Sequence, residues 1–333
     1  MSITVEHKEV QTFFQGMPRH VGVLNEVLDA IQAAPLQDSL DVLGTIVQNS
    51  NVLRVNTLTF YDDAVLVFTD VTSDFIVIAA QELVIDLNNP NVLAVITRPV
   101  GSTADQQFAT MLEGANGANG ANGAAGVGQT SHRGNDGGAG KNGMPGGNGG
   151  TLTLPDIFLF TQQLTLGANT PPNTEVLTFF FNGVLGGNGG KGGNGGEGGA
   201  GARGADSSSG VFNCNYSGGD GGTGGPGGQA GRGGNAGNGG DGAWVSFYSP
   251  IGSQLNLTIS VQQQGAPAGV SGTAGVVGRG GLGGQGGSGS TWCGGGHGGS
   301  SGSTPPPATA GSPGQPGNRG VFDNEVRDNQ DLW

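Results

Sequence analysis

A chain of 333 residues with 72 glycines and a formal net charge of −13 keeps much of its length out of any ordinary apolar core. Its acidity argues against nucleic acid or an anionic membrane as partner, and no apolar stretch is long enough to span a bilayer. The start, Met1-Ser-Ile-Thr-Val-Glu-His, has neither a basic n-region nor an apolar h-region, so no secretory signal is expected there.

Residues 1–110 read as a β-rich (α+β) head for attachment or assembly. Ile3–Phe14 is a candidate strand. Val21, Leu24, Leu28 and Ile31 recur at helical spacing within His20–Ala34, and Pro35 stops the pattern. Asp38 is a candidate cap for a second short helix through Leu43 and Ile46. Short β-type runs follow at Val52–Tyr61, Ala64–Thr69, Phe75–Ala80, Leu83–Leu87 and Val92–Thr97, separated by turn residues. A β-solenoid start is an alternative reading of these runs, although they carry no strict rung repeat.

From residue 114 the material changes. Glycine recurs at every third position through Gly183, Gly186, Gly189, Gly192, Gly195, Gly198, Gly201 and Gly204. It does so again, over the same length, through Gly219, Gly222, Gly225, Gly228, Gly231, Gly234, Gly237 and Gly240. Further runs cover Gly114–Gly126, Gly134–Gly149, Gly269–Gly287 and Gly311–Gly320. A period of three belongs to the polyproline-II helix, which rises about 3.1 Å per residue. With glycine on one or two faces such helices approach closely and pair backbone to backbone. Collagen shares the period but wants abundant proline, which the main runs lack. A disordered linker has no cause to hold phase over eight triplets, twice.

Two strand groups interrupt the runs and suggest a small β cap: Thr151–Phe160 with Leu164–Leu166 and Val176–Phe181, then Ala243–Tyr248 with Leu255–Val261. The expected fold class is therefore mainly β/irregular. It comprises the head, a polyglycine-II helix bundle over 111–302 with strand insertions 151–182 and 243–262, and a Pro/Gly-rich tail over 303–333. If successive runs are antiparallel, the loops Val127–Arg133, Ala205–Gly218 and Ser288–Gly295 share one far tip. Cys214 and Cys293, the only two cysteines, then lie together there and could form a disulfide.

Catalytic signals are absent from this pattern. Gly-Gly-Asn-Gly-Gly-Lys-Gly lacks the strand, the Gly-Lys-Ser/Thr ending and the helix of a phosphate loop. No Ser-His-Asp or paired-carboxylate spacing stands out, so neither an enzyme, a cofactor nor a metal is expected. The tip loops instead carry His132, Arg133, Phe212, Asn213, Tyr216, Trp292 and His297 among small polar residues, a composition suited to a binding surface on a rigid scaffold.

The phase-locked runs Gly183–Gly204 and Gly219–Gly240 resemble the polyglycine-II sandwich of the receptor-binding adhesins at the tips of T-even-like phage tail fibres, snow-flea antifreeze protein being a smaller relative in architecture. The resemblance covers roughly residues 114–320 and rests on the repeat. It implies a non-enzymatic virion fibre or spike protein, made in a host cytoplasm, whose tip loops meet a protein or glycan receptor on a bacterium. The head is then the expected contact with other virion proteins. A subunit of an extracellular filament or sheath is the alternative, and an ice-binding protein a third.

Overall fold

The computed structural model describes residues 24–70, 73–89, 92–98, 116–126, 132–172, 174–250 and 258–333. The candidate strand Ile3–Phe14 and the start of the helical pattern at His20 lie outside them.

One α-helix is present among the described residues, α1 (Leu24–Ala33). Residues 37–48, read as a capped helix from Asp38, are instead two strands, β1 (Gln37–Val42) and β2 (Thr45–Gln48). Gly44, at φ +65°, turns the chain between them. Local helix signals lose here to pairing: β1 lies parallel to β3 (Val52–Phe60), and β2 parallel to β4 (Val65–Phe68).

That alternation continues. β5 (Phe75–Ile85) pairs with β3, and β6 (Ala94–Thr97) with β4. β7 (Asp156–Leu166) pairs with β5, and β8 (Leu177–Phe180) with β6. A hairpin of β9 (Ser208–Ser209) and β10 (Cys214–Tyr216) intervenes. β11 (Val245–Ser249), β12 (Ile259–Gln262) and β13 (Phe322–Val326) then complete two parallel sheets, ordered β1-β3-β5-β7-β11-β13 and β12-β8-β6-β4-β2. The chain thus coils, placing one strand in each sheet per turn. The runs read as separate strands at Phe75–Ala80 and Leu83–Leu87 are one strand, as are Thr151–Phe160 and Leu164–Leu166 from Asp156 onward.

The expected fold class is overturned by this arrangement. A β-rich head, a separate polyglycine-II helix bundle and β caps would be distinct bodies. Instead, eleven of thirteen strands belong to two large parallel sheets that run from β1 to β13, with a single short helix among the described residues. The fold is α/β-like and predominantly parallel β, not a helix bundle. The physical reason is that each long glycine excursion leaves and re-enters the same two sheets. The strands expected to form a cap are rungs of the coil that begins at β1.

Between the sheets lies an apolar core that includes Leu53, Phe60, Phe68, Ile78, Phe179 and Phe247, all fully buried. Each such side chain contributes about 1.5–3 kcal/mol by leaving water. A second cluster covers the outer face of the six-stranded sheet. Val27, Leu28 and Ile31 of α1 and Leu332 of the terminal 3-10 turn (Gln330–Leu332) pack on Phe75, Val77, Phe158, Phe160 and Tyr248. The first six residues of β5 and of β7 are therefore buried without alternation, as a sheet covered on both faces requires. Beyond Ala80 the cover ends, and half-buried Glu82 and Val84 alternate with buried Leu83 and Ile85.

The coil's turns change length abruptly. One turn takes Val52 to Val77, whereas the next takes Phe75 to Asp156 and a later one Ile157 to Val245. The added residues are six glycine-rich passes over 116–126, 134–149, 183–204, 219–242, 264–287 and 296–320, the last of which includes residues read as a tail. Passes one, three and five follow β6, β8 and β12 and run parallel to one another: Gly117 donates to the Asn194 carbonyl, and Gly183 to that of Gln264. Passes two, four and six precede β7, β11 and β13 and are likewise parallel: Gly134 donates to Asp220, and Gly221 to His297. The two layers meet antiparallel, as where Gly187 and Gly190 donate to Gly150 and Gly147. The two sheets thus continue outward as two layers of a blade.

Every third residue has its own direction. In pass three, Gly195 donates to Val276 of pass five, Gly196 to Lys141 of pass two, and the Asn194 N–H faces the blade surface. There it is taken by a side chain: Asn116 Oδ1 accepts it at 2.7 Å, while the Gly117 N–H donates to the Asn194 carbonyl at 2.8 Å. An Asx residue and its successor thus clamp both backbone groups of one residue on the next parallel pass. Asp136-Gly137 grips Thr223 in this way, Asn188-Gly189 grips Val270, and Asp241-Gly242 grips Asn318. In the Asn194–Gly196 triplet no backbone N–H is left over, which is what order requires of a segment almost without apolar side chains.

Candidate functional site

The passes turn round at an end away from the sheets. Residues 127–131, within the first turn, lie outside the described residues. The second turn is the β9–β10 hairpin, pairing Ser209 with Cys214 and Ser208 with Tyr216. The third is a tight turn closed by a bridge between Ser290 and Cys293. A disulfide joins the two, Cys214 to Cys293, with Cα atoms 5.1 Å apart and 79 residues between them in sequence. The pass order explains the meeting: pass four returns to the sheets and pass five comes out again, so both cysteines fall at the same end.

The other expected tip residues divide into those that hold the tip and those that project from it. His132, at the start of pass two, packs its ring on Tyr216 with centroids 4.8 Å apart, and its carbonyl accepts the Ala205 N–H. Its Nδ1 is buried without a hydrogen-bond partner. Arg133 pairs with Asp136 at 2.9 Å, and Arg203 with Asp206 while also donating to Ser288 Oγ at 2.9 Å. The Ser288 N–H holds the Asp206 carboxylate below its ordinary pKa, as the Thr223 N–H does for Asp136. The His297 N–H is clamped by Asp220, while the residue itself is exposed.

Phe212 and Trp292 project. They are 83% and 53% exposed, and Val211 beside Phe212 is 79% exposed. Asn213 is exposed, with its carbonyl engaged by Gly210. Residues 207–219 and 287–296 contain no charged side chain. These two covalently joined loops are therefore uncharged and hold large apolar groups in water, beside the exposed Arg133–Asp136 and Arg203–Asp206 pairs.

Among the described residues no three His, Cys, Asp or Glu side chains gather as a metal site would need. Two open grooves, of about 420 and 360 Å³, lie elsewhere: one along β12 beside Arg319 and Phe322, the other between α1 and Arg54. The Arg54 guanidinium is occupied by the Leu332 carbonyl at 2.9 Å.

One set of structural residues escaped the sequence reading. The asparagines and aspartates facing out of the runs are given no role by it, yet they are the clamps. The available signal was the recurrence of Asx before glycine in the first four passes and its near-absence from the last two, which have no following pass to grip. The last pass also places Pro307, Pro313 and Pro316 where an N–H would point to that missing neighbour. Proline donates nothing, so this edge offers few donors to another chain.

No family model matches this chain, and no curated protein does. Among solved structures, the nine polyproline type II helical bundle springtail antifreeze protein from Granisotoma rainieri, whose crystal waters match the ice lattice, shares 27% identity over 50% of this chain and 93% of that chain. Its TM-score of 0.10 means the two do not superpose, so this likeness carries no argument about fold or function.

Proposed function

We propose that this protein is a non-enzymatic virion fibre or spike component, an adhesin that presents its stapled tip to a receptor on a bacterial surface. The observation that carries the reading is the exposure of Val211, Phe212 and Trp292 on two uncharged loops joined by Cys214–Cys293 at the far end of the blade. Binding residues on loops gain from a rigid support, because less motion is lost on contact. The prolines at the last edge also favour display over sideways stacking of blades. The rungs β1–β6, which share their apolar core with the later strands, are the candidate contact with other virion proteins.

The test is adsorption of the labelled full chain to bacterial envelopes and to arrayed surface glycans. The Phe212→Ala/Trp292→Ala double variant is expected to lose binding at least about tenfold with unchanged melting, as loss of anchor residues does. Equal binding by the double variant would overturn the tip as the receptor site.

A filament or sheath subunit is the second reading. It is favoured by a row on pass five, where Val270, Val276 and Leu282 are 71%, 66% and 74% exposed at six-residue spacing. Electron micrographs of the purified protein decide between them: separate particles favour the adhesin, ordered polymers the filament.

A further inference from the structure

The passes contain nine Asn-Gly pairs between Asn116 and Asn238. In ordinary chains this dipeptide is chemically fragile. The glycine nitrogen attacks the asparagine Cγ, a C–N bond forms, and ammonia leaves with the side-chain nitrogen. Water then opens the resulting succinimide at either carbonyl, giving aspartate or isoaspartate. Glycine permits the attack because it has no side chain to hinder it.

Here both reacting groups are held apart. At all nine pairs the asparagine Oδ1 accepts an N–H from the next parallel pass, at 2.7–3.0 Å. The following glycine N–H donates at 2.8–2.9 Å to the carbonyl of that same residue. For Asn194-Gly195 the gripped residue is Val276. Ring closure must bring Cγ to the glycine nitrogen, whereas the clamp holds that nitrogen's N–H on the carbonyl of the gripped residue and the Oδ1 bonded to Cγ on its N–H, at the other end of that residue.

We propose that the nine pairs form a shielded modification array. While the blade is folded they do not close to succinimide. Once a pass opens they do, and the isoaspartate product prevents that pass from re-entering the blade. The two hydrolysis products differ in consequence. Aspartate keeps the acceptor the clamp uses, and Asp136, Asp220 and Asp241 already serve in equivalent clamps. Isoaspartate adds a backbone atom and shifts every later residue out of the three-residue phase.

The experiment follows deamidation at each pair by peptide mapping and mass spectrometry in mildly alkaline buffer. The full chain without denaturant is compared with the same chain in urea and with a free peptide of residues 115–124. Reaction only through an opened state should make every pair in the folded chain at least about tenfold slower than in the peptide. Rates in the folded chain equal to the peptide's would overturn the proposal, and the peptide remains a reference even if the blade resists urea. The tolerance of aspartate is tested separately. Asn194→Asp should melt with the parent chain while Asn194→Ala melts lower, and an Asp variant as unstable as the Ala variant would refute that half.

Discussion

The short turns of the coil and its long ones obey the same path but are held by opposite means. From β1 to β6, side chains from two sheets fill one apolar space, and residues such as Phe60 and Phe68 have no exposed surface. In the blade little but backbone is buried, and order comes from directing successive N–H groups of a triplet to different neighbours. A parallel coil therefore does not require a side-chain core. It requires that every turn meet the next, by packing where side chains are large and by hydrogen bonding where they are absent.

The largest expected effect lies on the packed side. Phe179→Ala, between the sheets, should cost about 3–5 kcal/mol in denaturant unfolding, since it opens a cavity in a closed core. Next comes the staple: Cys214→Ser should cost about 2–4 kcal/mol by the loop it no longer closes, with hydrogen exchange rising first in the β9–β10 hairpin. On the blade, Gly192→Val should cost about 1–3 kcal/mol or more, because a Cβ there would sit 2.6 Å from the Gly231 carbonyl carbon. Lys191→Ala next to it, at an exposed position, should stay within about 0.5 kcal/mol. Should Gly192→Val melt with the parent chain, close backbone packing is not what holds the blade.

The smallest effect sharpens the contrast through pH. Thr223 and Ser288 N–H groups lower the Asp136 and Asp206 pKa values from 3.8. A carboxylate with a depressed folded pKa contributes stability that is present above the unfolded value and is lost as pH falls through the folded one. The blade should therefore loosen below about pH 4, and Asp136→Asn, which keeps the acceptor, should flatten that dependence in thermal melts. Asp323 and Glu325 on β13 act in the opposite sense, since burial raises their pKa values and protonation relieves them.

How much of this was legible varied with the kind of signal. Glycine phase is a strict period, so the runs stood out, and counting their reversals placed Cys214 beside Cys293. The coil was hidden because its period is not constant: Gln37 meets Val55, but Phe75 meets Asp156. Rungs so far apart look like separate domains, and strand β13 was lost behind prolines that read as a tail. Asp38 misled for a local reason, a cap-like residue before apolar positions that parallel pairing claimed for strands. At the tip, the aromatic content was visible in the loops, but which rings pack and which project was not. His132 and Tyr216 find each other only because two passes end side by side.

The clamps make the length of the blade a quantised trait. Pass three is bonded to passes one, two, four and five at three-residue intervals, so a single-residue insertion would throw every later triplet out of step with four neighbours. Removing one whole triplet from each pass at the same height would leave every remaining bond intact. The turns at the tip carry no such constraint, because they lie beyond the last bonded triplet. Lineages of this protein should accordingly differ in tip loops by any number of residues, while their passes differ in threes and change together.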